Sequence, residues 1–203
     1  FFLKSKLDTQ KRFRDKTIGL HNFKKEMPHL DNIQKKGYVL EFGHLSRDKG
    51  TDTLLEVAKR MPNTEFVFIG YGPSADKMKD IPNVKYLGFK TGEELYRIIA
   101  EAAISVCPSE WYENCPYSVM ESVLLGTPVV GSKMGGIPEL IEPGKTGELF
   151  EAGNVEELMK AIQKILHTPD TLEKYTDNCK LVQYETTESY YEKLIRIYQG
   201  LKA

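Results

Sequence analysis

Two glutamates at a close spacing are the strongest candidates for chemistry in this sequence. Glu113 and Glu121 have seven residues between them and lie just after an apolar run of strand length. A carboxylate accepts hydrogen bonds through two oxygens, so it suits the vicinal hydroxyls of a sugar or a ribose. A helix predicted to begin near Ser118 directs the unpaired amides of Tyr117 and Ser118 to the same place, where they suit a phosphate. The open alternative is that one glutamate caps the helix and the other is only exposed.

A second candidate is the stretch GHLSRDKG at 43–50, which leaves a predicted strand and enters a predicted helix. The first amides of a helix attract anions, and Lys49 adds a positive charge. This stretch predicts a phosphate site, although a solvated turn explains it equally well, and it lacks the spacing of a Walker loop. Two glycine-rich stretches, 70–72 and 131–141, are weaker candidates. Their small residues either let a ligand approach the backbone or only connect elements.

Other residue types argue against metal, thiol or triad chemistry. The four histidines show no metal-ligand spacing, and no Ser-His-Asp arrangement can be argued. Three cysteines without a CxxC pair predict free thiols in a reducing compartment rather than a zinc site. Trp111 is predicted to anchor its loop rather than to bind a ligand. We therefore expect no metal and no cofactor.

Alternating strands and helices must position these residues. The predicted strands lie at 37–43, 65–70, 84–88, 103–107, 128–131 and 146–150. Helices are predicted between them, and two of these helices begin with apparent capping boxes at Thr91 and Asn154. This order predicts an α/β fold, a Rossmann-like doubly wound parallel sheet with helices on both faces. In such a sheet, ligands bind at the carboxyl ends of the strands, where the candidate loops lie.

Composition and charge exclude several classes of protein. The 203 residues are 40% apolar and 28% charged, as in ordinary globular domains, and 28 basic residues face 29 acidic ones. Without a basic excess, nucleic acid is not an expected partner. No apolar run is long enough to cross a membrane. The basic stretch 1–16 is predicted to be roughly helical and to lie outside the core.

Five stretches, in this order along the chain, resemble the C-terminal, donor-binding domain of the retaining glycosyltransferases of family 4, whose GT-B fold has two Rossmann-like domains. The Glu113–Glu121 spacing is the signature of that family. The five stretches are FGHLSRDKGTDTLLEVAK (42–59), FVFIGYGP (66–73), NVKYLGF (83–89), the block at 108–141, and GKTGELF (144–150).

The resemblance implies a role for each matching residue. Glu113 would be the catalytic glutamate and hold hydroxyls of the donor sugar, Glu121 would hold the ribose, and Lys49 would bind the diphosphate. The Gly88–Phe89 turn would lie against the base. Further donor contacts are implied for Gly43, His44, Arg47, Asn114, Cys115, Tyr117 and Ser118. The family usually has arginine where this chain has His44, and Arg47 is the candidate to replace it.

The resemblance also implies a division of the chain. Residues 1–36 would be the tail of a missing N-terminal acceptor domain with a linker. Residues 37–186 would bind the nucleotide sugar, and the helix at 187–203 would cross back to the missing domain. The terminal helix and the segment around Phe1 would therefore leave apolar side chains uncovered. Leu201 belongs to that apolar stripe.

The expected function is that of the donor half of a transferase moving a hexose from a nucleotide-diphosphate sugar to an acceptor in glycan or glycolipid synthesis. The chain alone would be inactive in transfer. The protein would be cytoplasmic, and peripheral membrane association of the full protein stays open. A GT-B epimerase or phosphorylase and a non-catalytic binding module are the alternatives. The base, the sugar and the acceptor are not predicted.

Overall fold

The computed structural model describes residues 2–24, 27–168 and 170–200. The predictions for Phe1 and Leu201 lie outside these residues. The strands of the sheet are β1 (Val39–His44), β2 (Phe66–Tyr71), β3 (Val84–Tyr86), β4 (Ile104–Cys107), β5 (Val129–Ser132) and β6 (Gly147–Phe150). The helices are α1 (Phe2–Asp8), α2 (Thr51–Arg60), α3 (Gly92–Glu101), α4 (Tyr117–Leu124), α5 (Val155–His167), α6 (Thr171–Lys180) and α7 (Thr187–Gly200).

The six strands form one parallel sheet in the order β3-β2-β1-β4-β5-β6. The predicted doubly wound sheet is therefore confirmed, with each predicted strand present. The chain leaves β1 toward one edge and returns through β4 toward the other. The carboxyl ends of β1 and β4 thus border the switch in strand order, where α/β sheets of this kind leave a crevice.

Helices cover both faces of the sheet because strand side chains alternate in direction. On one face, Val39, Phe66 and Phe68 are fully buried in a cluster with apolar residues of α2 and α5. On the other face, Leu40 and Val67 pack with residues of α3. The central strands therefore bury both of their faces, which explains their continuous apolar runs.

The two predicted capping boxes have different outcomes. The side chain of Asn154 accepts a hydrogen bond from the Glu157 amide at 3.1 Å and donates to Glu157 Oε1 at 3.0 Å. The cap at Asn154 is therefore confirmed, but the reciprocal bond of a capping box is not formed, since the Asn154 backbone amide donates to the Glu151 carbonyl. Thr91 does precede α3, but its side chain makes no capping hydrogen bond, so the box there was wrong. The extended backbone of Thr91 ends the preceding loop without it.

The chain outside the sheet is less covered than the core. The helix predicted over 1–16 is limited to α1, and turns follow it up to Asp15, whose φ of 58° is not helical. Neither α1 nor α7 contains a buried residue among those described. Tyr191 and Tyr198 of α7 are 63% and 55% exposed, as the prediction of uncovered apolar surface required. In the described part of the chain, none of the helices combines the length and apolar character needed to span a membrane.

Candidate functional site

A cavity of about 320 Å³ lies at the carboxyl ends of β1 and β4, and we call it the central cavity. It brings together seven of the residues predicted to form a site: Gly43, His44, Lys49, Glu113, Tyr117, Ser118 and Glu121. Both candidate stretches, 43–50 and 108–121, therefore meet at one place. The thiol of Cys107 also lines the cavity, and burial raises its pKa to about 12, so the thiol stays protonated and is no nucleophile at neutral pH.

Lys49 and Glu113 form an ion pair inside the central cavity. The Nζ atom of Lys49 lies 2.6 Å from Glu113 Oε1, and the hydroxyl of Ser109 donates to the same oxygen at 3.1 Å. The side chains of Lys49 and Glu113 are only 34% and 19% exposed. An ammonium group and a carboxylate are thus held side by side, and each compensates the charge of the other.

The amino terminus of α4 faces the same cavity. Pro116 precedes the helix, and Tyr117 and Ser118 line the cavity wall. The helix is tethered to the sheet because the hydroxyl of Ser105 in β4 donates to that of Ser122 at 2.7 Å. Since Tyr117 and Ser118 begin α4 and line the cavity, the partial positive charge of the helix amino terminus favours an anion there.

Gly135 and Gly136 position the loop that carries Glu113. The Gly136 amide donates to the Glu113 carbonyl oxygen at 2.7 Å. A Cβ atom at Gly136 would lie 1.8 Å from the Asn114 carbonyl oxygen, and one at Gly135 would lie 2.2 Å from that of Glu113. The sequence makes the stretch 131–141 a candidate for close approach of a ligand to the backbone. At 135–136 the structure shows close approach of the protein's own backbone instead.

Five of the predicted residues lie outside the central cavity: Arg47, Gly88, Phe89, Asn114 and Cys115. Phe89 lines a side cavity of about 230 Å³, which adjoins the central cavity because Phe42, Gly43 and His44 line both. The Gly88 carbonyl accepts from the Gly70 amide next to it. Asn114 and Cys115 line a different pocket, against the segment 17–21.

Two further side chains lie at the surface. Arg47 is exposed and lines neither the central nor the side cavity. Trp111 is 66% exposed and does not anchor its loop in the core. Its ring lies at the surface together with that of Tyr112, which is 59% exposed.

Two residues of the site were missed. Lys24 Nζ donates to Glu121 Oε1 at 2.5 Å, a contact between residues 97 positions apart that no sequence signal reveals. Glu41 lines the central cavity from the middle of β1 and is 4% exposed. A signal for Glu41 does exist, because it is a charged residue inside an apolar run that predicts a central strand.

Burial keeps Glu41 protonated. Desolvation raises its pKa to about 8, opposed by the hydrogen bond that Thr51 donates to Oε1 at 2.7 Å and aided by the nearby charge of Asp52. Its Oε2 atom is buried without a hydrogen-bond partner in the structure. Glu41 therefore adds no negative charge to the cavity at neutral pH.

A Glu41→Gln variant is expected to lose part of the pH dependence of stability. Between its ordinary pKa of 4.5 and about 8, Glu41 releases its proton in the unfolded chain but keeps it in the folded chain. The free energy of unfolding of the parent thus falls by up to about 1.4 kcal/mol per pH unit as the pH rises over this range. A glutamine does not titrate, so the variant lacks this contribution. Urea unfolding at pH 5 and pH 8 measures this, and an unchanged difference between the two values would contradict it.

The described residues contain neither a metal site nor a disulfide. Residues 2–24, 27–168 and 170–200 contain no group of three or more His, Cys, Asp or Glu side chains placed to hold a metal ion. Cys107, Cys115 and Cys179 are all free, as predicted. The arrangement around the central cavity offers cations and amides for an anion beside carboxylates for hydroxyls.

The sequence of this chain is similar to those of known proteins. The family described as "Glycosyl transferases group 1" matches residues 22–182. A sulfoquinovosyl transferase of Arabidopsis thaliana is 33% identical over 146 residues, which cover 68% of this chain and 28% of that protein. An amylovoran biosynthesis glycosyltransferase of Erwinia amylovora is 29% identical, covering 73% of this chain and 40% of that protein.

Solved structures share the fold. HepE of Anabaena in complex with UDP matches with a TM-score of 0.72 and 22% identity, over 81% of this chain and 49% of that one. The Rossmann-like fold predicted from the sequence is thus also that of known GT-B proteins. The chain spans less than half the length of each of these three relatives.

Proposed function

The chain belongs to the family of group 1 glycosyl transferases, and from this premise we propose that it is the donor-binding half of a retaining enzyme of glycosyltransferase family 4. It binds a nucleotide-diphosphate hexose that the complete enzyme uses in glycan or glycolipid synthesis. One observation carries the proposal: a single cavity combines Lys49 and the α4 amino terminus with Glu113 and Glu121.

The diphosphate binds at Lys49 and at the first amides of α4. These groups supply the positive potential that a metal supplies in other transferases, so we propose a reaction without metal or cofactor. Lys49 is half-buried and already paired with Glu113 at 2.6 Å. Binding of the diphosphate draws Lys49 away from Glu113, and the hexose hydroxyls replace it as partners of that carboxylate. Glu113 is thus the proposed catalytic glutamate, since it holds the sugar that reacts.

The nucleoside binds on the side of the diphosphate that is away from the hexose. Glu121 accepts the ribose hydroxyls, and the base enters the side cavity beside Gly88 and Phe89. The lining of this cavity includes Tyr71 and Phe89, whose rings lie edge-on with centroids 5.9 Å apart and offer aromatic surface to a base. His44 borders both cavities and contacts Tyr71 edge-on at 5.5 Å. It therefore lies where base and diphosphate meet.

The acceptor is held by a second domain that faces the central cavity. Support comes from the length of the relatives and from exposed aromatic residues near the cavity. Trp111, Tyr112 and Phe89 are 59% to 66% exposed. Grouped aromatic side chains of this kind commonly mark a surface that another body covers.

The two glutamates provide the test, by calorimetric titration in EDTA with UDP, GDP, ADP and their hexose conjugates. Glu121→Gln is expected to weaken both the free nucleotide and its conjugate about 10- to 100-fold, the size of a hydrogen bond to a charged group. Glu113→Gln is expected to weaken only the conjugate, because a free nucleotide has no hexose for it to hold.

Glu188→Gln on α7 is the matched control, since Glu188 is exposed and outside both cavities. It should bind every ligand as the parent does. Equal losses for nucleotide and conjugate in both site variants would contradict the assigned roles. Binding that disappears in EDTA would contradict the metal-independent mechanism.

A further inference from the structure

The segment that precedes the sheet is held at Asn22, Phe23 and Lys24 by contacts with the loop before α4 on one side and with α7 and the residues before it on the other. The side-chain amide of Asn22 donates to the Cys115 carbonyl at 2.9 Å. The Phe23 ring lies 4.8 Å from that of Tyr190, and the Lys24 amide donates to the Glu185 carbonyl at 2.9 Å. Contacts on both sides therefore hold the backbone from which the Lys24 side chain extends.

The side chain of Lys24 is directed at Glu121. Its Nζ atom lies 2.5 Å from Glu121 Oε1 and 5.5 Å from the centre of the Tyr117 ring. The Lys24 and Glu121 side chains are 16% and 15% exposed. A pair so shielded from water is less screened than a surface pair, and removing one partner leaves the other charge buried.

Lys24 acts on a ligand through its hydrogen bond to Glu121 rather than by direct contact. Glu121 lines the central cavity, whereas Lys24 is not among the residues that line it. Lys24 donates to Oε1, so the other oxygen of the same carboxylate can accept a hydrogen bond from a hydroxyl in the cavity.

The charges around the cavity give Lys24 a second effect. Lys49 is compensated by Glu113, and without Lys24 the charge of Glu121 would face an anionic ligand uncompensated. His44 stands where the resembling family usually has arginine, and Arg47 does not reach the cavity. Lys24 is therefore the cation that balances this side of the site.

We propose that Lys24 is a positioning residue for the donor nucleotide, holding the Glu121 carboxylate oriented toward the ribose. This inference rests on the proposed function, since it needs a ribose at Glu121. It assigns the segment 22–24, part of the predicted domain tail and linker, to the donor site.

The test is a double-mutant cycle on nucleotide binding with UDP, GDP and ADP as the probes. Lys24→Met is expected to weaken the bound nucleotide about tenfold, and Lys24→Arg, which keeps the charge, to stay within about twofold of the parent. In the Glu121→Gln background, Lys24→Met should cause no further loss, because the partner through which it acts is gone. Lys36→Met is the control, since Lys36 forms a similar pair with Glu101 away from the cavity.

The outcomes separate the two proposals. If the parent binds a nucleotide and Lys24→Met binds it equally well or more tightly, the inference about Lys24 fails while the proposed function stands. An equal loss in both backgrounds would also overturn it, because Lys24 would then act independently of Glu121. If the parent binds none of the three nucleotides, both proposals fail.

Discussion

Residues 1–203 alone are expected to bind the nucleotide sugar and to transfer none of it to an acceptor. Holding two reactants in the correct geometry can contribute an effective concentration of about 10⁵–10⁸ M, and a donor half holds only one of them. The exposed side chains of Trp111 and Tyr112 stand where we propose that the second domain covers the donor. The effect is therefore expected to be nearly complete loss of transfer rather than a reduced rate.

The measurement is transfer of labelled hexose to candidate acceptors, with calorimetry showing that the donor binds. A longer form of the protein that carries the proposed acceptor domain should restore transfer. Robust transfer by residues 1–203 alone would refute their assignment as a donor half. Binding without transfer in the longer form would instead indicate a non-catalytic binding module, which is the alternative that His44 favours.

Gly136→Ala is expected to displace the loop that carries Glu113. The added Cβ would lie 1.8 Å from the Asn114 carbonyl oxygen, far inside van der Waals contact, and no side-chain rotation can move a Cβ away from a backbone oxygen. The hydrogen bond from the Gly136 amide to the Glu113 carbonyl would also be strained or lost. We expect a loss of stability of about 3 kcal/mol, at the upper end for an overpacked site.

Binding should respond more selectively than stability. At a temperature where the Gly136→Ala variant is folded, the hexose conjugate should bind more than about tenfold more weakly, since Glu113 no longer meets the sugar. Free nucleotide should lose less, because Glu121 is on α4 and not on the displaced loop. Urea unfolding and calorimetry measure the two effects.

Gly200→Ala is the matched control for this substitution. Gly200 ends α7, and a Cβ there would meet nothing within 4 Å. We expect unchanged binding and a stability equal to or slightly above that of the parent, since alanine favours a helix. If Gly136→Ala behaved like this control, close packing of the glycine turn would not be what positions Glu113.

The order and type of the elements around the sheet were determined by the sequence itself. Alternation of apolar strands with amphipathic helices is a local pattern, and the parallel sheet with right-handed crossovers follows from it by general rules. The sites at 43–50 and 108–121 were predictable for the same reason, because carboxyl ends of parallel strands converge at one edge. The structure brings Lys49 and Glu113 to 2.6 Å, although neither spacing nor charge predicted a direct pair.

Only the tertiary structure decided which distant groups complete the site. Lys24 and Glu121 are 97 positions apart, and the turn at Gly136 meets the Glu113 loop from another connection. Arg47, the candidate to replace the family's usual arginine, does not line the cavity, whereas Lys24 reaches Glu121 from residues 1–36, which were predicted to be a domain tail with a linker. Local propensity sets where a strand or helix begins, but a side chain's partner depends on how the whole chain packs, and no local pattern records that contact.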